Sequence, residues 1–87
     1  MKDLKTQMRS AVDHAVTVLA ERGEIHSNIA LDGVRLGPSQ YAIDLRNVEP
    51  NLLIPRAEGD RILLEQDDAA LAEIIRAHAR FAGRVGR

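Results

Sequence analysis

The residues of this 87-residue chain best suited to chemistry gather at its C-terminal end. Arg76, Arg80 and Arg84 follow one another at four-residue intervals, and Arg87 comes three residues later. On a helix that spacing makes one continuous basic stripe. Guanidinium groups form forked hydrogen bonds to oxyanions, so the stripe suits phosphates or the carboxylates of an acidic partner protein. Positive charge also favours the C-terminal end of a helix. A solvated face is therefore the plainer reading, and it outweighs docking slightly. Glu73 is the only acid after Asp68, so nothing nearby in sequence neutralises the stripe.

Charge along the chain is uneven although the net charge is only −1. Residues 1–9 carry +2, residues 10–72 carry −6 and residues 73–87 carry +3. No global field attracts nucleic acid. Only Tyr41 and Phe81 are aromatic, and both fall at core-like positions, which argues against recognition by base stacking. Binding of duplex DNA through the terminal arginines stays open as a second reading.

Reaction centres are harder to find. Without cysteine there is no disulfide, thiolate metal site or cysteine nucleophile. His14, His26 and His78 lack the three- or four-residue spacing of a helical metal site. Ser10 and His14 are four apart and could touch on one helix, but adjacent Asp13 diverges and is poorly placed to orient the imidazole. Asp67-Asp68 is better explained as a helix cap, and Glu58-Gly59-Asp60 as a solvated turn. Gly33, Gly37 and Gly59 do not have phosphate-loop spacing. No catalytic residue, metal or cofactor is expected.

The elements that would position these residues follow from hydrophobic period. Leu4, Met8, Ala11, Val12, Ala15, Val16 and Leu19 form one apolar stripe, which predicts a helix over residues 3–22 closed by Gly23. From Ile25 the period shortens. Asp32-Gly33 between alternating apolar residues is a two-residue hairpin signal, setting Leu31 against Val34 and Ile29 against Leu36. Gly37-Pro38-Ser39 predicts a second turn, after which Leu36 faces Tyr41 and Val34 faces Ile43. Ile29, Leu31, Val34, Leu36, Tyr41, Ile43 and Leu45 would then share one buried face.

Leu52-Leu53-Ile54 and Ile62-Leu63-Leu64 pair as a further hairpin around Pro55–Arg61 in this reading, with Pro55 at a strand end. Leu53 and Leu63 would point away from the core, as an interface to a second copy or to another protein, unless a loop covers them. The final helix is capped at Asp67 or Asp68, turns Leu71, Ile74, Ile75, His78, Ala82 and Val85 inward, and frays from about Gly83.

The expectation is a single α+β domain over residues 1–87: an N-terminal helix, a small antiparallel sheet of three to five strands and a C-terminal helix, in the order α-β-β-β-β-β-α, with both helices on one sheet face. No segment is apolar enough to span a membrane and no secretory signal opens the chain, so no membrane association and a cytoplasmic location are expected. The function that fits is a non-enzymatic protein-interaction module, a small adaptor, inhibitor or regulatory subunit of the size of bacterial or phage accessory proteins. Its partner is another protein, and homodimerisation would enlarge a small core.

Overall fold

Asp3 opens the first helix: its side chain accepts the backbone N–H of Thr6 at 2.7 Å, satisfying one of the donors a helix start leaves orphaned. In the computed structural model, the backbone is described for residues 3–85 and the side chains for residues 3–80. Helix α1 runs Leu4–Glu21 and buries Met8, Val12, Ala15, Val16 and Leu19, as its period predicts. Gly23 ends it at a φ of 74°, a backbone that glycine adopts without a Cβ clash.

Three strands follow, β1 (Leu31–Leu36), β2 (Gln40–Leu45) and β3 (Leu52–Pro55), paired antiparallel in the order β1-β2-β3. The pairing of Val34 with Ile43 and Leu36 with Tyr41 is the predicted register. The hairpin at Asp32-Gly33 is not formed. β1 runs through both residues, and the chain reverses instead at Gly37–Ser39, where the Gly37 N–H donates to the Gln40 carbonyl at 2.9 Å. Asp32 is the extra residue of an irregularity between Leu31 and Gly33. Its carboxylate is held at 2.8 Å by Arg46, a cross-strand partner that a tight turn at this point would not offer. Ile25 and Ile29, expected at the start of a strand and within one, lie in the connection after α1 and are still buried.

The second predicted hairpin is also overturned. Its first half is β3, but Ile62-Leu63-Leu64 belongs to a helix, α2 (Arg56–Glu65). A short apolar run fits a buried strand and a helix segment equally. Here Arg61 decides between them. It donates to Glu58 at 2.8 Å, to Glu65 at 2.9 Å and to Asp67 at 3.1 Å, and the first two partners come within reach only at helical spacing. Glu58-Gly59-Asp60 is thus a turn of this helix and not a surface loop. Among the described residues the sheet has three strands, not five.

The last helix, α3 (Asp68–Val85), begins where predicted: the Asp67 carboxylate accepts the Ala70 N–H at 3.1 Å. Leu71, Ile75 and Ala79 are its buried positions, while Ile74 and His78 are half-buried. The C-terminal region therefore holds two helices in place of one. α1 and α2 cover one face of the sheet, and α3 packs chiefly on α1. The side chains of Ala82 and Val85 and the fraying expected from Gly83 lie outside the described residues. Among the described residues no helix is long and apolar enough to cross a membrane.

Candidate interaction surface

A two-sided sheet covered on one side must expose the other. Strand geometry sends alternate side chains to opposite faces, and the register sorts them. Val34, Tyr41, Ile43, Leu45, Leu52 and Ile54 are buried beneath the helices. On the opposite face Arg35, Ala42 and Leu53 lie side by side across the three strands. Gly33 and Asp44 form the next row on one side, and Gln40 and Pro55 the row on the other. Arg35, Asp44, Gln40, Pro55 and Leu53 are exposed, with Leu53 at 53%. A leucine left that open, on the edge strand at the end of the middle row, is the most conspicuous feature of this face.

Charge on the face is balanced but unmatched. The Asp32–Arg46 pair neutralises itself at its margin. Arg35 and Asp44 sit on neighbouring strands, one row apart, and neither has an ion-pair partner among the described residues.

The expected pairing of Leu53 with Leu63 does not occur. Leu63 is on α2, half-buried against the core, and lines a groove of about 300 Å³ together with Gln7, Ser10 and Ala11 of α1. Leu64 is the outward residue of that run, at 86% exposure. A second groove of about 210 Å³ continues between α1 and α3, sharing Ala11 and Asp68 with the first. His14 lines the second groove and Ser10 the first, while Asp13 lines neither, so these three do not converge on one point. The remaining histidines are elsewhere: His26 Nδ1 accepts the Asn28 N–H at 3.3 Å, and His78 Nε2 donates to the Pro50 carbonyl at 2.7 Å.

The arginine series is split by the structure. Arg76 donates to Glu24, 52 residues earlier, at 2.6 Å, and also to Glu73 one turn back. It ties α3 to the connection that follows α1. Arg80 is exposed with no ion-pair partner among the described residues. The side chain of Arg84 and the whole of Arg87 lie outside the described residues.

One polar cluster had no forewarning in sequence. The hydroxyl of Tyr41 on β2 donates to the carboxylate of Asp60 on α2. Arg56 reaches the same carboxylate at 3.2 Å, places its guanidinium 5.8 Å from the centre of the Tyr41 ring, and donates to the Gly37 carbonyl at 3.1 Å. The Arg56 backbone N–H bonds the Ser39 carbonyl at 2.8 Å. Burial, and then the Asp60 carboxylate, push the Tyr41 phenol up to about 12. The Tyr41 hydroxyl and Arg56 hold the Asp60 carboxyl below its ordinary value. Every member has a structural partner, so the cluster clamps the β1–β2 turn to the start of α2. The four-residue spacing of Arg56 and Asp60 could have signalled the helix, but the tyrosine 19 residues away could not be foreseen.

Comparison with protein-family models, with curated proteins and with solved structures finds no match to this chain.

Proposed function

We propose that the chain is a non-enzymatic protein-interaction module, a small adaptor, inhibitor or regulatory subunit that acts by covering a surface of another protein. The observation that carries this reading is the bare face of the sheet, with Leu53 exposed in its middle row on the edge strand β3. An apolar side chain held on a rigid three-stranded platform gives a partner a preformed contact with little ordering cost. The commitment of Arg76 to two carboxylates removes one charge from the stripe that a phosphate backbone would need.

Capture of partners from the cells that make the chain, using wild-type and Leu53→Asp baits and mass spectrometry, tests the proposal. A specific protein retained by the wild type and lost with Leu53→Asp supports it. Retention unaffected by the substitution removes the sheet face as the site. Binding to mixed DNA and RNA at low salt, collapsing as salt rises, would favour the nucleic-acid reading instead.

A further inference from the structure

We propose that the bare face of the sheet is where two copies of this chain associate, through reciprocal Arg35–Asp44 contacts on either side of an uncharged centre. The proposal rests on the interaction-module reading and names one occupant for its surface.

A two-fold interface uses the same patch on both subunits, so the patch must be complementary to itself. This face meets that condition. It carries one positive and one negative side chain, both exposed and neither ion-paired among the described residues. They lie diagonally, Arg35 on β1 opposite Ala42 and Asp44 on β2 opposite Gly33. A two-fold axis lying between the two sheets and bisecting that diagonal sets Arg35 of each copy against Asp44 of the other. The same axis brings the two Leu53 side chains close together, and the strands of the two sheets cross steeply, as in orthogonal sheet packings. A partner of a single charge sign, such as a nucleic acid backbone, would leave one of these two groups opposed by like charge.

The size of the face sets the strength of the contact. Three strands about 4.8 Å apart, with up to six residues rising about 3.3 Å each, span roughly 300 Å² per copy. Stable complexes bury about 800 Å² per partner. The dimer is therefore weak and reversible, forming as concentration rises.

Sedimentation velocity on the full chain over a concentration series provides the test, with Arg35→Asp and Asp44→Arg examined singly and mixed in equal amounts. The wild type should move from 9.6 kDa toward twice that mass. Each single variant should need at least about tenfold more protein to do so, since both of its symmetric contacts become repulsive. In the mixture one copy's face carries two carboxylates and the other's two guanidinium groups, so the variants should associate with each other at or below the wild-type concentration. Circular dichroism establishes that both variants are folded, which both exposed positions permit. A wild type that stays monomeric to millimolar concentration overturns the proposal. So does a dimer indifferent to either substitution, or a mixture no more associated than its components. If dimerisation fails while a partner protein is still lost with Leu53→Asp, the module reading survives and only the second copy is excluded as occupant.

Discussion

The hydroxyl of Tyr41, at the start of the central strand, donates to the carboxylate of Asp60, in the middle of α2. This one contact joins the sheet to the helix that the chain builds immediately after its last strand. Tyr41 is the sole tyrosine, so its ionisation can be followed without interference. The native protein should show tyrosinate absorbance rising with a midpoint near 12, against about 10 for the unfolded chain. Above pH 10 the unfolded state binds fewer protons than the folded one, so stability is intact below that pH and falls as pH climbs through this window. In Tyr41→Phe that alkaline loss should disappear, as measured by urea denaturation across pH.

The opposite end of the pH scale belongs to the carboxylates. Asp60 is held low by the Tyr41 hydroxyl and Arg56, Glu58 by Arg61, and Asp67 by the Ala70 N–H and Arg61. A depressed carboxyl stabilises the fold above its unfolded value, near 4, and loses that contribution as pH falls through the folded value. Thermal unfolding should therefore begin to drop below about pH 4. In Asp60→Asn the slope should be shallower, and stability near neutrality should be lower by about 0.5–1 kcal/mol, since the Asp60 side chain is 42% exposed and solvent screens its contacts.

Gly59 sits inside α2, where alanine normally gains about 1 kcal/mol of helix propensity. A Cβ at this position would fall 2.5 Å from Cδ1 of the Tyr41 ring. Overpacking costs about 1–3 kcal/mol and should win. Gly59→Ala is thus expected to destabilise, and Tyr41→Leu in the same chain to relieve part of the penalty. A double-mutant cycle in denaturant would measure the coupling, and additive effects would rule out the contact.

Leu53 and Leu63 should behave oppositely although both come from apolar runs of the same length. Truncating Leu63, packed against the core, is expected to lower stability by about 1–2 kcal/mol, less than the ~2–5 kcal/mol of a fully buried leucine. Leu53→Ala should be within about 0.5 kcal/mol of neutral in the isolated chain, as surface substitutions usually are. Chemical denaturation of both variants checks the pair.

Arg76 and Arg80 should likewise separate. Arg76→Ala removes a bridge to Glu24 that is two-thirds shielded from solvent, and should cost about 0.5–1 kcal/mol, less at high salt. Arg80→Ala should be silent in stability. A stability loss for Arg80→Ala equal to that for Arg76→Ala would show that the stripe acts structurally as a unit.

Much of this arrangement was legible in the chain itself, and the failures have physical causes. The α1 stripe, the Asp67 cap and the Val34–Ile43 register all rest on short-range period and capping, which are local properties. Asp32-Gly33 misled because a local turn preference competes with the pairing of the whole strand against β2, which no local pattern reports. Ile62-Leu63-Leu64 misled because three apolar residues carry no period, whereas the Glu58–Arg61–Glu65 spacing around them did point to a helix. Arg35 and Asp44 occupy the outward positions of strands whose inward positions were read correctly for Val34, Tyr41, Ile43 and Leu45, while Leu36, expected on the buried face, is 36% exposed at the end of the edge strand and Leu31 is only half-buried. The places of Arg35 and Asp44 on the bare face could have been read from the same alternation. The partner of Arg76 could not, since Glu24 enters only through tertiary packing.

The irregularity at Asp32 has a further consequence. It interrupts the free edge of β1 with an extra residue and a charge, while the other free edge, β3, is four residues long and ends in Pro55. Bulges, charges, short strands and proline all discourage one sheet from extending into the next. Open-ended fibre growth, the usual hazard of a small sheet with two free margins, is thereby disfavoured at both sides.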